Sequence, residues 1–182
     1  MVNNRIPSID IPLDKENFFN ELICELSGIL DQIAGEQDSS ELIAMVGQGI
    51  GHKVNTLYKQ GLNLEKFSSD QVWQILIDLK KRLGGNFGLV SADDRKLVFR
   101  NDRCPFGKRV EGRHSLCMMT SNVFGVLASQ NLGYAKVALH DTIARGSNNC
   151  DVVVYLKDTP ESRDDDGREY YKVTESELEP LP

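Results

Sequence analysis

Long apolar runs are missing from this chain of 182 residues. None approaches the roughly 20 residues that a membrane-crossing helix needs. The opening stretch MVNNRIPSIDIPLDKEN also lacks the basic-then-apolar order of a secretory leader. The expected location is therefore the cytoplasm. Cysteine is scarce, with Cys24, Cys104, Cys117 and Cys150 widely scattered. So few in so long a chain exclude a disulfide framework, and the absence of any Cys-x-x-Cys pair excludes the usual zinc-ribbon spacing. Positive charge is not in excess either, since 21 Lys and Arg face 27 Asp and Glu for a net charge of −6.

That acidic balance argues against nucleic acid as a partner, but the acid is not evenly spread. Residues 157–182 alone hold nine acids and four bases, so the remainder is close to neutral. The stretch from Arg95 to His114 is locally basic, fitting either an anion or a solvated loop of mixed charge. An apolar fraction of 40% with 26% charged residues is that of a folded globular chain. We expect an N-terminal extension over 1–13, one domain over 14–157, and an acidic, flexible tail over 158–182.

The first half of the domain reads as helices. Asp14 can cap a helix to about Ala34 with Phe18, Leu22, Leu26, Ile29, Leu30 and Ile33 on one face, ended by Gly35. Asp38-Ser-Ser-Glu41 has the form of a capping box for a second helix, striped by Leu42, Met45, Val46, Ile50, Val54 and Leu57. Ser68-Ser-Asp-Gln71 repeats the device for a third, with Val72, Ile75, Leu76, Leu79 and Leu83 as its stripe. Strands follow over 86–91 and 96–100, joined by an Ala-Asp-Asp-Arg turn. After a turn-rich basic loop, Ser115 is placed to cap a fourth helix through about Asn131. Strands are expected over 134–140 and 151–156, the Val152-Val153-Val154 run suiting a central position. A short edge element over 170–173 is a further option. Strands segregated from most helices predict the α+β class: helices packed on one face of a roughly four-stranded antiparallel sheet.

Gly47-Gln-Gly-Ile-Gly51 has the glycine content of a phosphate loop but lies within a helical pattern and lacks a following Lys-Ser/Thr. A smooth glycine face for close helix packing is the better reading. Cys24, beside an apolar stripe, reads as a packing residue. The other three cysteines differ. Cys104 opens a Cys-Pro-Phe-Gly turn, Cys117 lies in a helix's first turn, where the macrodipole lowers a thiol's pKa, and Cys150 precedes a core strand. Converged, they would form a site with Phe106 and Asn122 beside it. Three thiolates plus His114 or His140 would suit zinc or an iron–sulfur cluster. A redox pair between Cys104 and Cys117, or plain packing, are the alternatives. A different chemistry would pair Cys117 with His114 or His140 and Asp141 in a small cysteine-dependent enzyme, hydrolytic or reductase-like. Thr120, Ser121, Asn122 and Ser129 give the fourth helix a small polar face that would line either a ligand pocket or solvent.

The block from Cys104 to Leu156, CPFGKRVEGRHSLCMMTSNVFGVLASQNLGYAKVALHDTIARGSNNCDVVVYL, resembles the methanogen output domain family. It is more distantly similar to four-vinyl-reductase-type ligand-binding domains, through Gly133-Tyr-Ala-Lys-Val137 and the turn from Ile143 to Cys150. The resemblance extends over most of 17–156. It implies a helix layer on an antiparallel sheet that binds a small ligand within a signalling protein. It places the family's cysteines on Cys104, Cys117 and Cys150, and its turn glycines on Gly107, Gly133 and Gly146. The expected function is a cytoplasmic sensory or regulatory module acting through a signalling partner or through self-association.

Overall fold

The computed structural model describes residues 10, 11 and 13–173. The expected 1–13 extension and the end of the acidic tail therefore lie largely outside the described residues. Asp14 caps α1 (Lys15–Leu62) by accepting the N–H of Asn17. Gly35 (φ 83°, ψ 160°) is its single non-helical residue, a conformation available to a residue without Cβ. The glycine therefore breaks α1 into two helical stretches, the first ending at Ala34 as expected. Helical geometry resumes at Glu36, so the Asp38 capping box is not used, and Ser39 instead donates a hydrogen bond to Asp31. α2 (Ser69–Arg82) starts at Ser68 with the expected reciprocal capping box to Gln71.

β1 (Phe87–Ala92) and β2 (Lys96–Asn101) form a hairpin in which Asp93 Oδ1 accepts the N–H groups of Arg95 and Lys96. α3 (Cys117–Leu132) follows a short 3₁₀ turn at His114–Leu116. Ser115 does not cap it; its hydroxyl is buried against the Ser27 hydroxyl and donates to the Asp31 carboxylate on α1. β3 (Tyr134–Leu139), β4 (Cys150–Tyr155), α4 (Pro160–Asp164) and β5 (Arg168–Tyr171) complete the fold. The sheet is antiparallel throughout, in the order β1-β2-β4-β3-β5. It has five strands, one more than expected. The fifth comes from the segment assigned to the flexible tail, since Tyr170 pairs with Ala135 and buries its ring.

The β4 pleat turns Val152 and Val154 toward the helices, joined by Leu97 and Phe99 of β2 and by Phe124 and Leu127 of α3. Val153 and Tyr155 point to the other face with Ala138. α3 is buried nearly all round because it lies between the sheet and α1. The glycine face is used as expected: a Cβ on Gly51 would stand 2.9 Å from the Val126 Cβ, and one on Gly47 3.0 Å from the Asn122 Cβ.

The apolar stripes of α1 behave in the opposite way to expectation. Phe18, Leu22, Leu26, Ile29 and Ile33 are exposed, Ile33 by 80%, as are Leu42, Met45, Val46, Ile50 and Leu57. The face docked on the body is mostly small and polar, Asn20, Cys24, Ser27 and Asp31, then Gly47, Gly51 and Asn55, with Ile43 buried among them and Val54 of the expected stripe partly buried against the core. Its outer acids are drawn in by ion pairs, Glu21 to Arg109, Glu25 to Arg113 and Glu41 to Arg168, and Glu36 lies 3.2 Å from His114 Nδ1. The basic loop is thus matched by α1. Among the described residues no helix is long and apolar enough to cross a membrane.

Candidate functional site

One end of the sheet gathers the residues singled out by sequence. Phe87 begins β1, Asn101 ends β2 and Cys150 begins β4; Phe87 and Cys150 are both register partners of Asn101. The C-terminus of α2 and the N-terminus of α3 stand over this end, and the 104–116 segment crosses it. Between them is a cavity of about 100 Å³. Cys104, Cys117 and Cys150 all line it, with Phe106, Val110 and Leu116 supplying apolar wall. The convergence expected of the three sulfurs therefore occurs at the level of a shared cavity. All four cysteines are free thiols, and Cys24 packs in the cluster behind Cys104 and Cys117 without lining the cavity.

Asn122, His114 and His140 do not join them. The Asn122 amide donates to the Met118 carbonyl at 2.9 Å on the α1 side of α3. His114 Nδ1 is 3.2 Å from Glu36, and His140 Nε2 is 2.8 Å from Asp165, each outside the cavity. The polar residues of α3 are not its solvent side: Ser121, Asn122 and Ser129 are buried, and Ser121 Oγ lies 2.9 Å from the Tyr170 hydroxyl.

Burial also reverses the expected thiol chemistry. Cys117 does start a helix, but desolvation, followed by the neighbouring Cys150 and Cys104, pushes its thiol up to about 11. Desolvation raises Cys104 too. Ionising either thiol in this apolar surround costs more than the helix start returns. The lining set holds no histidine and no carboxylate, and among the described residues no three His, Cys, Asp or Glu side chains are gathered to hold a metal ion. These residues do not fit a zinc or iron–sulfur centre of the kind expected. Cys117 likewise has no histidine beside it in the cavity to act as its base.

A residue missed by sequence analysis completes the site. Lys80, near the end of α2, is only 6% exposed. Its Nζ donates to Thr120 Oγ1 at 2.7 Å and lies 5.2 Å from the Phe87 ring centroid and 5.3 Å from that of Phe124. Desolvation pushes its ammonium down to about 8, offset in part by Cys104, Cys117 and Cys150. No carboxylate among the described residues pairs with it. The helix C-terminus, with its partial negative charge, helps a cation to remain there. The pattern did carry a signal: 72, 76, 80 and 83 fall on one side of the helix, which sets Lys80 in the apolar stripe instead of opposite it.

The family model for methanogen output domain 1 matches residues 22–155. No curated protein matches the chain. Among solved structures, it is similar to a trafficking protein particle complex subunit 3 from Naegleria fowleri covalently bound to palmitic acid. The TM-score is 0.55 at 14% identity, covering 78% of this chain and 96% of that one. It is also similar to the phenol-responsive sensory domain of the transcription activator PoxR with phenol, at TM-score 0.56 and 13% identity, over 85% of this chain and 80% of that one. At these identities the likeness is one of fold.

Proposed function

Because the chain belongs to the methanogen output domain 1 family, we propose that it is a sensory module. It takes a small, mainly apolar molecule into the cysteine-lined cavity and reports occupancy through α1. One observation carries the reading: the 104–116 segment both walls the cavity and clamps α1. Cys104, Phe106, Val110 and Leu116 face the cavity. From the same segment Arg109 pairs with Glu21, Arg113 donates to the Cys24 carbonyl at 2.8 Å, and the Pro105 carbonyl accepts from Asn20. A molecule that moves Phe106 therefore moves the anchors of the first half of α1.

The cavity volume of about 100 Å³ suits a ligand on the scale of one aromatic ring. The solved relatives, one with phenol and one with a fatty acid, support a ligand-holding use of this architecture. The output surface is the outer face of α1, taken by a second copy of this chain. Its half-exposed apolar side chains from Phe18 to Leu57 offer on the order of 1,000 Å² per chain, against the roughly 800 Å² each partner gives to a standard interface. Exposed apolar area of that extent marks an interaction site.

Titration with phenol or toluene, followed by hydrogen exchange and mass spectrometry, tests the reading. Protection is expected to rise over 104–116 and to change over 15–34, and a cavity-filling Cys150→Leu is expected to remove both effects. Exchange that stays the same everywhere at saturating probe rules the proposal out.

A further inference from the structure

Every charged group in a protein interior needs a reason to be there, and Lys80 has no counter-charge among the described residues. Burying an ammonium costs several kcal/mol unless it is paired. Each described neighbour that would pair it is missing or neutral. Thr120 Oγ1 accepts one of its three hydrogens, and Phe87 and Phe124 offer only ring faces. The titratable groups that face it are the three thiols: Cys104 from the loop, Cys117 from α3 and Cys150 from β4. Cys104 and Cys117 are held in their neutral form by burial. The ammonium stands in the wall of a cavity otherwise made of side chains such as Leu116, Met119 and Val152.

We propose that Lys80 is the receptor for an acidic oxygen, so that the cavity takes a small weak acid with an apolar body, a monocarboxylate above all. The carboxylate would supply the missing counter-charge, with Thr120 holding the amine in place and the thiols packing around the apolar part. Pairing inside a low-dielectric wall makes such a hydrogen bond stronger than one at the surface. This assignment rests on the ligand-holding reading above and names the class of ligand.

Benzoate and its neutral isostere benzamide separate the two ideas. Calorimetric titration of the full chain at pH 7 is expected to show benzoate bound about tenfold tighter than benzamide, the ratio one charge-assisted hydrogen bond gives. In Lys80→Met, of similar length and no charge, that preference falls to near unity while benzamide binding persists. A second measurement needs no variant. In wild-type protein carrying ¹³C-labelled lysine, saturating benzoate is expected to shift the Lys80 titration upward, and benzamide to leave it in place. Equal affinity for the two probes in the wild type overturns the acid assignment and leaves the cavity reading standing. Failure of both probes to bind overturns the two together.

Discussion

Cys117 begins α3, where unpaired N–H groups favour an anion, and yet its thiol is pushed up to about 11 because the same position lies under Leu116 and the sheet end. Local position was legible in the sequence; the local dielectric was not, since it depends on residues from four other segments. A reactivity measurement follows. In native buffer at pH 7.5, iodoacetamide is expected to label Cys104 and Cys117 at least about tenfold more slowly than in denaturant, since the nucleophile is the thiolate. The rate should climb steadily above pH 9, as read by peptide mass spectrometry, and rapid labelling at neutral pH contradicts the buried-thiol picture. Lys80 works in the other direction. Its folded pKa of about 8 lies below its ordinary 10.5, so the unfolded chain binds more protons between those values. Its penalty is full below pH 8 and is relieved as pH rises toward 10.5, whereas the benefit from Cys117 is full below 9 and lost toward 11. Lys80→Met is therefore expected to stabilise the protein at pH 7 by about 1–3 kcal/mol. The gain should shrink from pH 8 upward, measured by urea denaturation.

Among the elements, the register of α1 on α3 is set by absent side chains. Gly51 lets the helices approach until a Cβ would meet Val126 at 2.9 Å, and Gly125 lies so close under Tyr170 that a Cβ would overlap the ring at 2.1 Å. Gly51→Ala and Gly125→Ala are expected to cost about 1–3 kcal/mol each through overpacking. Gly125→Ala should also expose Tyr170 to solvent, seen in tyrosine fluorescence. Gly61, with nothing within 4 Å, is the control: Gly61→Ala should be neutral or stabilise by a few tenths of a kcal/mol through helix propensity. Equal effects at the three positions would disprove the close-packing account. Periodicity and caps gave most elements correctly, including α2, the β1–β2 hairpin and the central place of β4. The exceptions have physical causes. Ser115 caps nothing because its hydroxyl is taken by Ser27 and Asp31. The described part of the acid-rich segment, 157–173, belongs to the fold because Tyr170 fills the space over Gly125.

For the whole molecule, the reversal of α1 decides how the chain meets others. A helix is expected to bury its apolar stripe, and here the docked face is the small polar one, with the stripe left outward from Phe18 to Leu57. Light scattering after size exclusion is expected to give twice the chain mass of 20.4 kDa at micromolar concentration. The double variant Leu22→Glu, Leu26→Glu, at sites already exposed, should return the monomer with unchanged circular dichroism. A monomeric wild type at high micromolar concentration would remove self-association from the account. Pairing of this kind would cover α1 while leaving the cavity end of the sheet uncovered.

By itself the sequence determined the α+β class, most of the helix and strand spans, the glycine face of α1 and the choice of Cys104, Cys117 and Cys150 as one neighbourhood. These follow from short-range patterns: period, caps, turn residues and the resemblance those residues carry. Tertiary structure alone decided which face of α1 is buried, that His114 and His140 are held by Glu36 and Asp165 away from the sulfurs, and that Cys104 and Cys117 stay protonated. It also brought Lys80 into the cavity wall. The reason is common to all four: burial and charge at a point depend on chain segments distant in sequence, and a pattern along the chain does not record what folding places beside it.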